Sequence, residues 1–216
     1  MDAKTSIAQR VAKEVRPGTL VNLGIGLPSL VAQYTGENQG IFFQAENGVI
    51  GLGDPPPTGM EDRDLTDAGG GYITAIPGAA AIDSATSFGL IRGGHIDLTV
   101  LGGLQVDGRG LLANWKIPGK FVPGMGGAMD LVTGARKVIV AMTHTAKGVS
   151  KIVPQCTYPI TSSRSVDLIV TERAVIQPTA HGLVLLEYAE TTSIEEVISM
   201  TEADLIIPSN VKVIER

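Results

Sequence analysis

Thr19-Leu20-Val21-Asn22-Leu23-Gly24-Ile25-Gly26-Leu27-Pro28-Ser29-Leu30-Val31-Ala32-Gln33-Tyr34 carries three signals in one stretch. Thr19–Leu23 reads as a strand and Gly24–Ser29 as a turn. Leu30–Tyr34 opens a helix, with Pro28 near its first turn, where a missing N–H and a fixed φ do no harm. Strand, glycine turn and helix in that order predict an α/β protein with a largely parallel sheet. Upstream, Ile7, Ala8, Val11, Ala12 and Val15 recur at helical spacing until Pro17-Gly18 stops the pattern.

The alternation continues downstream. Tyr72–Ile76 reads as a strand and Ala79–Leu90 as a small-residue helix begun near Pro77-Gly78. Ile96–Leu101, Lys137–Met142 and Val166–Val170 are apolar runs of the kind that buried parallel strands show. Ile194–Thr201 is helical in pattern, and Ala203–Pro208 is short enough for a closing strand. Asp54–Gly71, rich first in proline and then in glycine, reads as an excursion rather than a linker. The expected architecture is a single domain over residues 1–216, an open, largely parallel sheet flanked by helices.

Composition narrows the function. The 216 residues suffice for a sizeable core, and 44% hydrophobic against 18% charged residues predicts an ordered globule. Aromatics at 4% leave the core to aliphatic side chains. A formal net charge of −5, with no basic run, argues against nucleic-acid binding. One cysteine, Cys156, cannot form an internal disulfide, which points to a reducing compartment. Met1-Asp2-Ala3-Lys4 lacks a signal-peptide pattern and no apolar stretch would span a bilayer, so the expected location is cytoplasmic, away from membranes.

Four features invite a chemical reading. In Phe43-Gln44-Ala45-Glu46-Asn47-Gly48, a carboxylate follows the apolar run Ile41–Phe43 and precedes a turn dipeptide. Asn47-Gly48 between two apolar runs is a strong hairpin signal, and by local chemistry alone Glu46 reads as a solvated residue beside a turn. Its apolar flanks point the other way, to a partly desolvated carboxylate better suited as nucleophile or base. Gly24-Ile25-Gly26 resembles half of a dinucleotide fingerprint, but Ser29 stands where a third glycine belongs, so a plain strand-to-helix turn is the simpler reading. Val122–Asp130, with Gly124, Gly126 and Gly127, could cradle an anion or oxyanion, or merely connect two elements. His95, His144 and His181 lack metal-ligand spacing, so no metal site is expected. Nothing marks Cys156 as a low-pKa thiol, and no Gly-x-Ser-x-Gly elbow is present.

Taken in order, several blocks resemble the β subunit of the 3-oxoacid (acetate/butyrate–acetoacetate) CoA-transferases. They are Asn22–Pro28, Gln44–Gly48, Ile91–Asp97, Leu112–Trp115, Pro118–Lys120 and Gly124–Asp130. The resemblance covers nearly the whole chain and is less distinct from about Thr157 onward. It implies an α/β enzyme that moves CoA between an acyl-CoA and a short-chain carboxylic or 3-oxo acid. In the family the glutamate of a Ser-Glu-Asn-Gly motif is the covalent nucleophile, which here falls on Glu46. Ala45 stands where the family usually has serine, which bears on tuning and substrate preference rather than on the nucleophile. The resemblance further implies oxyanion stabilisation by the Gly126-Gly127 loop, with Gly24, Gly26, Asn47, Gly48, Gly124 and Gly126 as the expected substrate and CoA contacts beside Glu46 and Gly127. Coenzyme A would be a substrate rather than a resident cofactor.

The family's α half carries a Gly-Gly-Phe loop that this chain lacks. The expectation is therefore a heterodimer or heterotetramer with an α subunit of related fold. Two other functions fit the same residues. One is a sugar-phosphate isomerase-like enzyme with Glu46 as general base. The other is a non-catalytic regulatory subunit that keeps the fold.

Overall fold

The computed structural model describes residues 2–36, 39–120, 122 and 124–215. Pro123 of the candidate anion loop lies outside the described residues, as does Met1 of the N-terminal reading.

Helix α1 (Ala3–Ala12) starts where the Asp2 side chain accepts from the N–H groups of Lys4 and Thr5. It starts four residues before the apolar periodicity and ends at Ala12, three residues before Val15, which is nevertheless buried. Ile7, Ala8 and Val11 are sealed against the sheet, and each of the larger two contributes about 1.5–3 kcal/mol. Strand β1 (Leu20–Leu23) follows, and then a 3-10 helix over Leu27–Tyr34 with Pro28 in its first turn. The expected helix is thus present, in a tighter form and three residues earlier.

Strand β2 (Phe42–Ala45) turns back through Glu46-Asn47-Gly48 into the antiparallel β3 (Val49–Leu52). The turn closes with Gly48 N–H donating to Ala45 O at 3.0 Å, so the hairpin loop has three residues rather than the two of a tight Asn-Gly turn. Gly48 sits at φ +120°, and a Cβ there would meet Ile82 O at 2.0 Å; only glycine fits.

The expected helix over Ala79–Leu90 is overturned in its first part. Residues 75–81 are strand β4 (Ala75–Ala81), not the start of a helix. Its backbone pairs antiparallel with β3, and Gly51 at φ +85° takes up the register shift between them. Alanine by itself favours the helix, so this pairing overrides the local preference. Helix α2 (Ser84–Arg92) begins only where the Asp83 side chain accepts from Thr86 N–H.

Strand β5 (Leu98–Leu101), the strand Lys137–Ala141 and the strand Leu168–Val170 complete a parallel core. In space the order runs β2, β1, β5, Lys137–Ala141, Leu168–Val170, all parallel. Antiparallel strands extend both sides: β3 and β4 on one, and Ala174–Thr179 with Gly182–Tyr188 on the other. The short strands Leu205–Ile206 and Lys212–Val213 both pair with Gly182–Tyr188 to complete eleven. The expected open α/β sheet with flanking helices is borne out, with antiparallel additions that the apolar runs did not announce.

Side chains alternate between the two faces. Val21, Val100, Ile139 and Val170 pack under α1 and the 3-10 helix. Val138, Val140 and Ile169 face the other layer, with Ile91 of α2, Leu131 of α3 (Ala128–Gly134) and Val197 of α4 (Ile194–Ser199). After β1 the chain moves to one neighbour, β2, and after β5 to the opposite one. The carboxyl ends of β1 and β5 therefore flank a topological switch point, where open α/β sheets bind ligands.

Candidate active site

Glu46 leaves the carboxyl end of β2 one strand from that switch point, and it is half-buried. In the parallel register Asn22 faces both Gln44 and Thr99, so three polar residues stand in one row across β5, β1 and β2. All three are buried, as is Ser87 on the overlying α2. Thr99 Oγ1 donates to Asn22 Oδ1 at 3.3 Å. Asn22 Nδ2 donates to Gln44 O at 3.1 Å, to Gln44 Oε1 at 2.9 Å and to Glu46 Oε2 at 3.3 Å. Gln44 Nε2 donates in turn to Ser87 Oγ at 2.7 Å and to Ala45 O at 3.0 Å. The row ends on the carboxylate.

The other side of Glu46 is closed by glycine. A Cβ built at Gly127 would lie 3.3 Å from Glu46 Cγ and 3.4 Å from both Cδ and Oε1. The structure thus brings together two residues 81 apart in sequence, and Gly127 of the candidate anion loop is a wall of the Glu46 site. Gly127 is buried and caps α3, and the turn before it closes with Ala128 N–H donating to Met125 O at 3.1 Å. Gly124 and Gly126 are exposed, at φ +97° and +50°.

The remaining expected residues are at the same end of the sheet but in different roles. Gly24 N–H donates to Val100 O at 2.8 Å, which binds the end of β1 to β5. Gly26, exposed at φ +85°, starts the 3-10 helix and accepts from Ser29 Oγ at 2.7 Å. Gly24-Ile25-Gly26 is built as a strand-to-helix turn. Asn47 points away from the polar row: its Nδ2 donates to Thr66 O at 2.8 Å and ties the 54–71 excursion to the hairpin. The excursion also leans on the first turn, since a Cβ at Gly69 would meet Ile25 Cγ1 at 3.3 Å.

The other candidates resolve into structure. His144 is sealed, its Nδ1 3.0 Å from Thr171 Oγ1 and its Nε2 2.9 Å from Thr201 Oγ1. Burial first, and the charge of Arg173 second, lower its pKa to about 4. Burial first, then the Asp107 carboxylate, push the Cys156 thiol up to about 12, which leaves no thiolate at neutral pH. Among the described residues no group of three or more His, Cys, Asp or Glu side chains could hold a metal, and no helix is long and apolar enough to cross a membrane. A groove of about 460 Å³ lies between α1 and the C-terminal segment, lined by Arg10, Lys13, Tyr34, Gln39 and Glu215 among others. It does not reach Glu46, and Arg10 there is already paired with Glu14 and Glu187.

Asn22, Gln44, Thr99 and Ser87 escaped the sequence reading as site residues. The available signal was a single polar residue inside each of three apolar strands, but only the register shows that the three meet.

The profile of the coenzyme A transferase family matches residues 4–200. The chain belongs to the coenzyme A transferase family. The beta subunit of the acetate CoA-transferase of Escherichia coli (strain K12) is 55% identical to it, over 94% of this chain and 93% of that protein. The beta subunit of the acetate CoA-transferase of Haemophilus influenzae (strain ATCC 51907 / DSM 11121 / KW20 / Rd) is 50% identical, over 98% and 95%. In fold, the chain matches the crystal structure of an acyl-CoA transferase from Escherichia coli O157:H7 with a TM-score of 0.80 at 24% identity. That match takes in 99% of this chain and 43% of the other, so this family member spans less than half of that larger protein's length. The expectation of an enzyme of the CoA-transferase class is borne out.

Proposed function

We propose that this family member is the β subunit of a two-subunit CoA-transferase that moves CoA between an acyl-CoA and a short-chain carboxylic or 3-oxo acid through a glutamyl-CoA thioester on Glu46. The observation that carries the reading is the environment of Glu46: a half-buried carboxylate at the carboxyl edge of the sheet, held by a neutral amide on one oxygen and backed by a glycine. A neutral donor orients the carboxylate without the strong charge neutralisation that a lysine or arginine would impose, so its oxygen lone pairs stay available.

Glu46 attacks the thioester carbonyl, and the C–S bond breaks to give a mixed anhydride and CoA thiolate. The thiolate then attacks the glutamyl carbonyl, and the carboxylic acid departs with one oxygen that came from Glu46. An incoming carboxylate reverses both steps and leaves as the new acyl-CoA. One hard exchange becomes a series of easier ones. Each addition builds negative charge on a carbonyl oxygen, and backbone N–H groups of the Gly126-Gly127 loop receive it, at about 3 kcal/mol per donor. Coenzyme A enters as substrate, and no resident cofactor is required.

An α partner is part of the same reading. Relatives carry the name of a beta subunit, and Glu46 is only half-buried at the carboxyl end of β2, so a cover is needed to exclude water from the anhydride. A heterodimer or heterotetramer satisfies this. Initial rates of the assembled enzyme, measured with varied acyl-CoA at several fixed acid concentrations, should give parallel double-reciprocal lines. Intersecting lines would contradict a covalent intermediate released between substrates. The purified chain by itself should show little transfer; full activity without a partner would overturn the two-subunit part.

A further inference from the structure

A row of buried polar side chains through the middle of an apolar sheet needs a reason. Asn22 and Thr99 interrupt strands whose other residues are apolar, and valine at either place would pack without any hydrogen-bonding demand. Every link in the row is made, so the row is stable, but stability alone does not call for it. Its course gives the reason: it begins on α2, crosses β2 and β1, and ends on the Glu46 carboxylate.

We infer that Gln44 and Ser87 are positioning residues that hold Glu46 in its attacking orientation through Asn22. This rests on the reading of Glu46 as nucleophile. The hydrogen bonds run in one direction only. If the Asn22 amide were reversed, its Oδ1 would face three oxygens, those of the Gln44 carbonyl, the Gln44 side chain and Glu46. The Gln44 carbonyl and the Glu46 carboxylate, which can only accept, fix the amide in this orientation, and the Thr99 hydroxyl, free to donate or accept, completes it by donating to Oδ1. Gln44 presents its own Oε1 to Asn22 because Ala45 O, which can only accept, draws its Nε2 the other way, while Ser87 Oγ holds the same Nε2 from α2. Ser87 and Ala45 O together place Gln44, Gln44 places Asn22, and Asn22 holds Glu46 Oε2. The other oxygen, Oε1, is left beside Gly127. Two oxygens of Gln44, one backbone and one side-chain, clamp the asparagine that steadies a carboxylate two residues further along the chain.

The test uses the full chain assembled with its native α partner and acetyl-CoA as probe. Hydroxylamine quenching at timed intervals traps activated Glu46 as the hydroxamate, which mass spectrometry counts. Gln44→Met keeps the volume and removes all three hydrogen bonds of the side-chain amide; Ser87→Ala removes one of the two acceptors of its Nε2 and is the milder change. We expect the trapping rate constant to fall about 10–100-fold in Gln44→Met and less in Ser87→Ala, as for a nucleophile displaced by a fraction of an ångström to an ångström. The acetyl-CoA concentration for half-maximal rate and the fraction of sites finally trapped should stay unchanged. A merely structural role would lower the melting temperature or the trapped fraction and leave the rate constant of the folded sites alone. Parent-like rate constants in the folded variants, or a change confined to half-saturation, would overturn the relay. Absence of label on Glu46 in the parent would instead overturn the nucleophile itself.

Discussion

Two buried polar clusters lie toward the carboxyl end of the same parallel sheet, and they end differently. In the cluster of His144, Thr171 and Thr201 both ring nitrogens are engaged by hydroxyls, and those hydroxyls bond on to backbone groups. Thr99, Asn22, Gln44 and Ser87 are equally well bonded, yet their row ends on a half-buried charge with an oxygen left over beside a glycine. A closed cluster is architecture. A row that terminates in an available lone pair is equipped for chemistry, and only the second fits a nucleophile.

The comparison breaks most visibly at Glu46. Glu46→Gln keeps the shape and the Asn22 neighbour but loses the nucleophile, and transfer by the assembled enzyme should fall about 10⁴-fold or more. A loss of tenfold or less would move the chemistry elsewhere.

The closed cluster predicts a stability effect instead. Folded His144 titrates near 4 against 6.5 for an unperturbed histidine, so the unfolded chain binds the extra proton first as pH falls. Its contribution is fully present above pH 6.5 and is lost on the way down to pH 4, by roughly 3 kcal/mol at most. Urea unfolding at pH 7 and pH 4.5 should show a smaller drop for His144→Asn than for the parent. Equal drops would mean that His144 carries no such burden.

Gly127 sharpens the first cluster. At φ −82° alanine is conformationally welcome, but its Cβ would press on the Glu46 carboxyl from 3.3–3.4 Å. Gly127→Ala should slow transfer about 10–100-fold with little change in melting temperature. Unchanged rates would detach the glycine loop from the site. The smallest effect belongs to Ala45, buried at 5% exposure and paired with Val49. Ala45→Ser should shift the preference between acetyl-CoA and longer acyl-CoAs by about threefold while leaving Glu46 labelling in place. A loss of labelling would give position 45 a larger role.

Much of this was legible in the sequence because parallel strands buried on both faces are written as unbroken apolar runs, as in Val138-Ile139-Val140. The acidic turn was legible too, since Gly48 admits no other residue. Residues 79–81 misled because alanine favours the helix, and pairing with β3 overrode that local preference. The hairpin of Ala174–Thr179 with Gly182–Tyr188, joined through Ala180-His181, went unread. The polar row was invisible for a deeper reason: it exists only once the register sets Asn22 opposite Gln44 and Thr99. Local patterns name the strands, whereas partners across a sheet are decided globally.

The central claim is that Glu46 becomes covalently activated. Incubating the assembled enzyme with acetyl-CoA, quenching with hydroxylamine and mapping the modified peptide tests it most directly. The account predicts a hydroxamate on Glu46 that depends on acetyl-CoA and vanishes in Glu46→Gln. A modification on any other residue, or none in a folded and active complex, would contradict it.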